Sequence, residues 1–256
     1  MHQDPLTTVF VPFPAPLEEV RLIQRKNRFL ILARKKGGEE VPLHLPNSGR
    51  MEELLLPGVR GLAWKNPGPR TEGTLLLVEH LGRWVSVDAR MPNRLFEEGL
   101  RQRAWPFAGN FTFFRKEVPL GSTRIDFRLE RPEGLLYVET KSCNRVEEGI
   151  ALFPDAPTQR GARHLVLLRE LREKGVETAV VWFVQRDDAV ALTPDDEADP
   201  PFARAFWDGV AAGMMAFAYR CEVTPQGIRV LDSIPIVERE RGREGDAPRP
   251  AEPLRP

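Results

Sequence analysis

The chain has 256 residues, enough for one large domain or two smaller ones with buried cores. Its 37 basic and 37 acidic residues give a formal net charge of zero, so whole-chain charge provides no argument for nucleic-acid binding and any polyanion site must be local. Cys143 and Cys221 lie too far apart for a zinc or C-x-x-C site, and neither a signal peptide nor a bilayer-spanning apolar stretch occurs.

The first 90 residues predict a short lead-in and a small all-β domain. Residues 1–16 are rich in proline, which disfavours a helix and predicts an extended segment. Over residues 17–90, short apolar runs alternate with glycine and proline turns such as those at 36–38 and 66–69. This spacing is typical of a small β-barrel.

A basic run crosses the predicted barrel. Residues 21–36 contain seven basic residues and no acidic one, interleaved with Phe29 and Leu30. One interpretation is a solvated strand face. The other is a groove that follows the phosphates of a nucleic acid, in which basic side chains supply affinity without sequence preference. The candidate contacts on the second interpretation include Arg21, Arg25, Lys26 and Arg28.

The remaining residues predict a second domain over 91–237. Apolar periodicity predicts a helix at 92–103, three strands at 111–118, 123–130 and 135–141, a helix at 157–174, a strand at 178–184, a helix from Asp199 to Gly213, and strand and hairpin segments at 214–219 and 223–237. This order predicts a mixed sheet flanked by helices. Residues 238–256 are charged without apolar periodicity, which predicts a disordered tail.

The hairpin formed by the second and third of these strands concentrates charged residues. If residues 131–134 form its loop, the antiparallel register places Asp126 directly opposite Glu139. Opposed carboxylates repel each other, and a divalent cation between them would relieve that repulsion. Lys141 would project beside the cation, where an amine can orient an attacking water. The alternative is a solvent-exposed face on which Arg124 and Arg128 neutralise the acids.

Several motifs resemble the sugar fermentation stimulation protein family, SfsA. Around the hairpin they are R-I-D-F at 124–127, E-T-K at 139–141, G-I-A-L-F-P-D-A at 149–156, and the pairs Arg160-Gly161 and His164-Leu165. In the first domain, H-L-P-N-S-G-R-M at 44–51 also matches. The similarity runs from about residue 18 to residue 237.

The resemblance implies an α+β chain with an N-terminal OB-like β-barrel and a restriction-endonuclease-like domain of the PD-(D/E)XK type with a mixed central sheet. It implies DNA binding and a site for Mg²⁺ or Mn²⁺. The ligands carried over to this chain are Asp126, Glu139 and the backbone carbonyl of Thr140, with Lys141 next to the attacking water. Glu117, on the preceding strand, is a further candidate ligand.

Other polar residues are candidates for nucleic-acid contact. Arg160 and Arg163 on the predicted helix, with Gln185 and Arg186 after the next strand, could clamp a scissile strand, or they could be ordinary solvated residues. Arg50, in the matched motif of the first domain, joins the basic candidates there. His164 could contact phosphate or fill a packing gap, and the second reading is preferred.

Two functions from different classes follow. The first is a metal-dependent nuclease acting on DNA, with RNA as an alternative substrate. The second is a non-enzymatic, largely sequence-nonspecific DNA-binding regulator linked to sugar metabolism of the maltose type. The complete set of Asp126, Glu139 and Lys141 favours the first. The protein is expected to be cytoplasmic with reduced core thiols and no membrane contact, and a homodimer stays open.

Overall fold

The computed structural model describes residues 5–121 and 123–238. The chain forms two compact units. The first comprises residues up to Ala104 together with Val184–Asp187 and Arg220–Asp232, and the second comprises Trp105–Phe183, Asp188–Tyr219 and the residues from Ser233 onward. Within the described ranges, no helix is both long and apolar enough to cross a membrane.

The first unit contains a closed β-barrel. The first seven strands of the unit are β1 (Phe10–Pro12), β2 (Leu17–Asn27), β3 (Leu30–Lys35), β4 (Glu40–His44), β5 (Arg60–Trp64), β6 (Gly73–His80) and β7 (Arg83–Ser86), of which β1 belongs to the lead-in. The strand order β4-β3-β2-β5-β6 is closed by a parallel pairing of β4 with β6, which makes a barrel of five strands. This confirms the predicted all-β barrel.

Alternating apolar residues explain why these strands enclose a core. Val20 and Leu22 on β2 and Ile31 and Ala33 on β3 face inward and are buried, while their neighbours are more exposed. Gly73 lets β5 and β6 approach closely, because a Cβ atom there would lie 2.4 Å from the Trp64 carbonyl oxygen. The barrel therefore packs around side chains and leaves its basic residues outside.

Helix α1 (Met91–Arg101) ends the N-terminal part of this unit. It agrees with the predicted helix at 92–103, and its apolar side, which includes Leu95, Phe96 and Leu100, is buried. The lead-in begins with a 3-10 helix, Pro5–Thr8, before β1.

The second unit contains the hairpin that concentrates the charged residues. Its elements in chain order are β8 (Phe113–Leu120), β9 (Thr123–Arg131), β10 (Gly134–Cys143), β11 (Arg145–Glu147), β12 (Ile150–Phe153), α2 (Gln159–Glu173), β13 (Glu177–Val184), β14 (Ala191–Pro194), α3 (Pro200–Ala211) and β15 (Met215–Thr224). Strands β15, β13, β10, β9 and β8 are neighbours in that order. The predicted helices and the predicted mixed arrangement of strands are confirmed.

A second, small sheet was not predicted. It orders β11-β12-β14, with β12 antiparallel to β11 and parallel to β14. The strands have only three or four residues, so their alternation is too short to stand out in the sequence.

The last strand, β16 (Gly227–Ile234), completes the first unit beside the final residues of β15. Its partner on the other side is β1, with Phe10 opposite Arg229 and Pro12 opposite Gly227. The lead-in is therefore a paired strand over 10–12. Cys143 and Cys221 are both buried thiols, as predicted. The predicted tail lies outside the described residues, apart from Glu238.

Candidate active site

The hairpin of β9 and β10 has the predicted register. Leu135 pairs with Glu130 and Val138 pairs with Phe127, so the next position places Glu139 opposite Asp126. The loop is tighter than predicted, because Arg131 and Gly134 also pair and only two residues connect the strands. The apolar residues of β9 that lie between the charged ones are buried, which fixes this register.

The charged side of the hairpin is not a solvent-exposed face. Glu139 is only 3% exposed, and Tyr137 and Thr140 beside it are buried as well. The interpretation of this side as a solvent-exposed face predicted that Arg128 neutralises Asp126 and Glu139. Arg128 instead forms an ion pair with Glu130 at 2.5 Å. The solvated-face interpretation is therefore wrong for Glu139, since a carboxylate is rarely buried unless it is paired or binds a cation.

The two oxygens of Glu139 have different surroundings. Oε1 accepts a hydrogen bond from Nζ of Lys141 at 2.5 Å and is in contact with Nδ1 of His164. Oε2 is buried and has no hydrogen-bond partner among residues 5–121 and 123–238. Burial by itself raises the pKa of Glu139, but the charge of Lys141 and the hydrogen bond from His164 outweigh it, so the net pKa is lowered. Glu139 is therefore held as a carboxylate with one oxygen left over.

His164 is the residue of this site that sequence reasoning assigned wrongly. It is 2% exposed, and its ring joins Glu139 on one side to Oγ1 of Thr123 on the other, at 2.9 Å from Nε2. Nε of Arg160 also lies 3.5 Å from Nε2 and points its proton there. A ring nitrogen that accepts cannot carry a proton, so this arrangement assigns the proton to Nδ1, which donates to Glu139. His164 is a partner of the acid rather than a filler of a packing gap.

The start of α2 positions His164. The side chain of Thr158 caps the helix by accepting from the Gly161 N–H at 3.0 Å. Thr158 is itself held by Asp199, whose Oδ2 accepts from the Thr158 N–H at 2.6 Å while Oδ1 accepts from the Phe202 N–H at the start of α3. Arg160 and His164 are four residues apart and so lie on one face of α2. That spacing was the only local signal that could have grouped them.

Asp126 is held by Thr140. Its Oδ2 accepts from the Thr140 backbone N–H at 2.8 Å and from Thr140 Oγ1 at 2.9 Å. Donors of the chain itself thus stabilise both acids: Thr140 for Asp126, and Lys141 with His164 for Glu139. These hydrogen bonds reduce the repulsion between the two carboxylates, and the predicted divalent cation would reduce it further.

Glu117, the further candidate ligand, lies on β8. It is exposed and has a backbone φ of 50°, a left-handed conformation that is rare for a residue other than glycine. The pairs on either side, Lys116 with Phe127 and Val118 with Ile125, leave it facing Asp126 where the ladder is interrupted. The role of Glu117 as a metal ligand stays a prediction.

The predicted nucleic-acid contacts separate into three groups. Arg160 and Arg163 are exposed on α2, and in the other unit Arg21, Lys26, Arg28 and Arg50 are exposed. Gln185 and Arg186 are buried in the first unit, with Arg186 only 2% exposed, so neither the strand-clamp role nor the solvated alternative fits them. The guanidinium of Arg25 is occupied by backbone carbonyls, which is also incompatible with a phosphate-binding role.

Within the described part of the chain, no three or more His, Cys, Asp or Glu side chains are grouped as a metal site. Instead, the carboxylate of Asp126 is bonded to Thr140, and the carboxylate of Glu139 is bonded to Lys141 and His164. Thr123 and Thr140 were missing from the side-chain roles predicted from sequence, because both act through hydroxyl groups that no spacing rule distinguishes.

Comparison with known proteins identifies relatives over most of the chain. Residues 90–227 match the family described as sugar fermentation stimulation protein RE domain, and residues 23–87 match the SfsA N-terminal OB domain. The sugar fermentation stimulation protein homologue of Chloroflexus aggregans is 40% identical over 232 residues, covering 89% of each chain. That of Moorella thermoacetica is 37% identical, covering 88% of this chain and 99% of the relative. The structure of Pyrococcus furiosus SfsA in complex with Ca²⁺ matches with a TM-score of 0.82 and 26% identity, over 88% of this chain and 97% of that one.

Proposed function

Because the chain belongs to the sugar fermentation stimulation protein family, we propose that it is a divalent-metal-dependent nuclease that hydrolyses phosphodiester bonds in DNA, with RNA as an alternative substrate. The chain has the family's N-terminal OB domain, a closed five-stranded barrel, followed by a mixed sheet with few helices. The proposed catalytic residues Asp126, Glu139 and Lys141 all lie on two adjacent strands of that sheet.

The observation that carries this proposal is the buried Oε2 atom of Glu139. A buried carboxylate oxygen without a partner among the described residues is costly unless something else binds it. Carboxylate oxygens are the ligands that Mg²⁺, Mn²⁺ and Ca²⁺ prefer, so the donor set fits such a cation. Asp126, Glu139 and the Thr140 carbonyl would hold it. The Ca²⁺ named for the P. furiosus relative supports a hard cation in this family.

The chain's own residues have distinct tasks in this reaction. A bound divalent cation would supply an activated water and offset charge on the phosphate. Lys141, whose side chain is largely buried, keeps its ammonium group at Glu139 Oε1, where a positive charge stabilises negative charge that develops on the substrate. His164 and Thr140 hold the two carboxylates in fixed orientations, so that the site does not have to reorganise when substrate arrives.

The experiment is a cleavage assay with purified protein on labelled single-stranded DNA, duplex DNA and RNA, with Mg²⁺ or Mn²⁺ and with EDTA. We expect metal-dependent cleavage of at least one substrate. Asp126→Asn, Glu139→Gln and Lys141→Ala should each lower the rate by about 100-fold or more, the size of effect seen when one charge-stabilising group is removed from an active site. Binding of Ca²⁺ measured by calorimetry should weaken in Asp126→Asn and Glu139→Gln.

Two exposed residues of α2 and its end provide matched controls. Glu170→Gln and Lys174→Ala make the same chemical changes outside the site and should leave both cleavage and Ca²⁺ binding unchanged. Absence of cleavage on all three substrates, together with nucleic-acid binding that is unchanged in Glu139→Gln, would contradict the nuclease proposal. That outcome would favour the non-enzymatic DNA-binding regulator.

A further inference from the structure

Arg25 organises one edge of the barrel. Its guanidinium donates five hydrogen bonds to backbone carbonyl oxygens, and these oxygens come from two separate segments of chain. Those of Asn27 and Arg28 belong to the turn between β2 and β3, at 3.2 and 2.8 Å. Those of Asn47, Gly49 and Arg50 belong to the loop after β4, at 3.4, 2.7 and 2.6 Å. One side chain thereby fastens the turn to the loop.

The turn is also fixed by hydrogen bonds of its own. The side-chain oxygen of Asn27 accepts from the Phe29 N–H at 2.9 Å, and the Phe29 carbonyl accepts from the Leu45 N–H at 2.9 Å. Backbone groups on both sides of the Phe29 side chain are therefore bound. Because the backbone of this turn is already ordered, a side chain on it can bind a ligand with little further loss of backbone conformational entropy.

This rigid turn carries an exposed aromatic ring among cations. Phe29 is 50% exposed, although it is a large apolar residue on a barrel with a well-filled core. Lys26 is exposed near the end of β2, Arg28 is exposed in the turn itself, and Arg50 is exposed in the loop that Arg25 joins to the turn. Within residues 5–121 and 123–238, none of the three forms an ion pair with an acidic residue. By contrast, Arg34 and Lys35, at the far end of β3, are paired with glutamates. The cations next to Phe29 therefore keep their charge available for an anionic ligand.

We propose that Phe29, Arg28 and Arg50 form a binding site for single-stranded nucleic acid on the barrel. A base can stack on the exposed ring, while the two guanidinium groups contact the flanking phosphates. Bases in a duplex are already stacked on one another and do not offer a free face. The site therefore selects unpaired strands and is tolerant of sequence, because every base has an aromatic face. It is distinct from the Glu139 site, and its binding does not require cleavage.

The test uses the full chain in EDTA, so that binding is measured without metal-dependent cleavage. The probe is a fluorescein-labelled oligothymidylate followed by fluorescence anisotropy, with a labelled duplex in parallel. Phe29→Ala should weaken binding of the single strand by about 5- to 150-fold, the effect of removing one base–aromatic stack, and should leave duplex binding unchanged. Phe29→Trp should retain binding. Arg28→Gln with Arg50→Gln should reduce the salt dependence by about 0.7 in slope for each phosphate that the protein no longer neutralises.

Matched controls lie elsewhere on the same barrel. Leu81, at the turn between β6 and β7, is 81% exposed. Leu81→Ala therefore removes an exposed apolar side chain that belongs to neither the turn nor the loop bound by Arg25. Arg70→Gln removes an exposed charge from the turn between β5 and β6. The proposal is overturned if the wild-type protein does not bind the oligothymidylate, if Phe29→Ala binds it as tightly as the wild type, or if Leu81→Ala loses as much affinity as Phe29→Ala. Because no metal is present, these outcomes leave the nuclease proposal to its own assay.

Discussion

Replacing His164 with alanine tests the central interaction of the candidate site. In the structure, Nδ1 of His164 donates to the buried Oε1 of Glu139, and the imidazole fills the space between Glu139 and Thr123. In His164→Ala, Glu139 keeps only Lys141 as a side-chain partner among the hydrogen bonds described above. The buried charge is then less well compensated, so the folded protein should become less stable.

The magnitude follows from two contributions. A hydrogen bond to a charged group contributes about 1.5–3 kcal/mol, and the burial of both partners favours the upper part of that range. Loss of the ring leaves a cavity that costs about 1 kcal/mol more. The free energy of unfolding should therefore fall by about 3–4 kcal/mol in His164→Ala. With a denaturant slope of about 3 kcal/mol per molar urea, the midpoint should shift by about 1 M.

Urea titrations in metal-free buffer, followed by circular dichroism, measure this shift without a contribution from bound cations. His164→Asn is the matched variant, because its amide can donate to Glu139 from nearly the same place as Nδ1. It should recover most of the missing stability. Ca²⁺ titration of the same three proteins should rank their affinities in the same order, since Glu139 is a proposed ligand.

Two results would refute this reasoning. An unchanged urea midpoint in His164→Ala would mean that the hydrogen bond to Glu139 contributes nothing to the fold. Equal losses in His164→Ala and His164→Asn would mean that the volume of the ring matters and its donor does not.

Two further predictions concern stability. In metal-free buffer, the wild type should lose free energy of unfolding relative to Glu139→Gln as the pH falls below about 4.5, the ordinary pKa of this carboxyl. A carboxylate whose pKa is lowered in the folded state stabilises the fold above its unfolded pKa, and this stabilisation is lost as the carboxylate protonates. A stability difference between the two proteins that stays constant in acid would contradict this prediction. Asp199→Ala should lower the free energy of unfolding in urea by about 2–3 kcal/mol, because it removes the cap of α3 and leaves the Thr158 N–H without its acceptor. Asp208→Ala, which removes an exposed acid of α3, is the control and should cost less than about 1 kcal/mol.

The register of the β9–β10 hairpin could be predicted because it depends on neighbouring residues. Apolar residues alternate with polar ones on β9, and a proline and a glycine mark the turn between β9 and β10. A slip by one residue would expose Ile125 and Phe127, so the pattern allows one answer. The positions of Asp126 and Glu139 follow from that register alone.

The partners of these acids could not be predicted in the same way. His164 lies 25 residues after Glu139 on another element, and its hydrogen bond depends on how α2 packs. The hydroxyl of Thr140 bonds to Asp126 because the pairing of β9 with β10 ends just before these residues. No pattern in the sequence predicts where that pairing ends. The sequence predicts Gln185 and Arg186 at the surface, because polar residues after a buried strand usually lie there, yet the structure buries both.

Arg25 shows the same limit on the barrel. The sequence places Arg25 in a basic run, in which every basic residue is an equally good candidate for contact with a phosphate. Only the loop at 47–50, brought beside β2 by the fold, shows that Arg25 is bound to carbonyl groups while Arg28 and Arg50 remain available. Charge patterning identifies the segment, and tertiary structure divides its members between structural and surface roles.

The pairing of β1 with β16 has a consequence for synthesis of the chain. Phe10 leaves the ribosome early, whereas its partner Arg229 follows about 220 residues later. At an elongation rate of about 5–20 residues per second, β1 waits roughly 10–40 s for the strand that covers it. During that time its edge is open to other chains, although Pro12 lacks the N–H that such a pairing would use. A fragment that stops at Ala104 would keep every strand of the barrel but would leave β1 permanently in this nascent state.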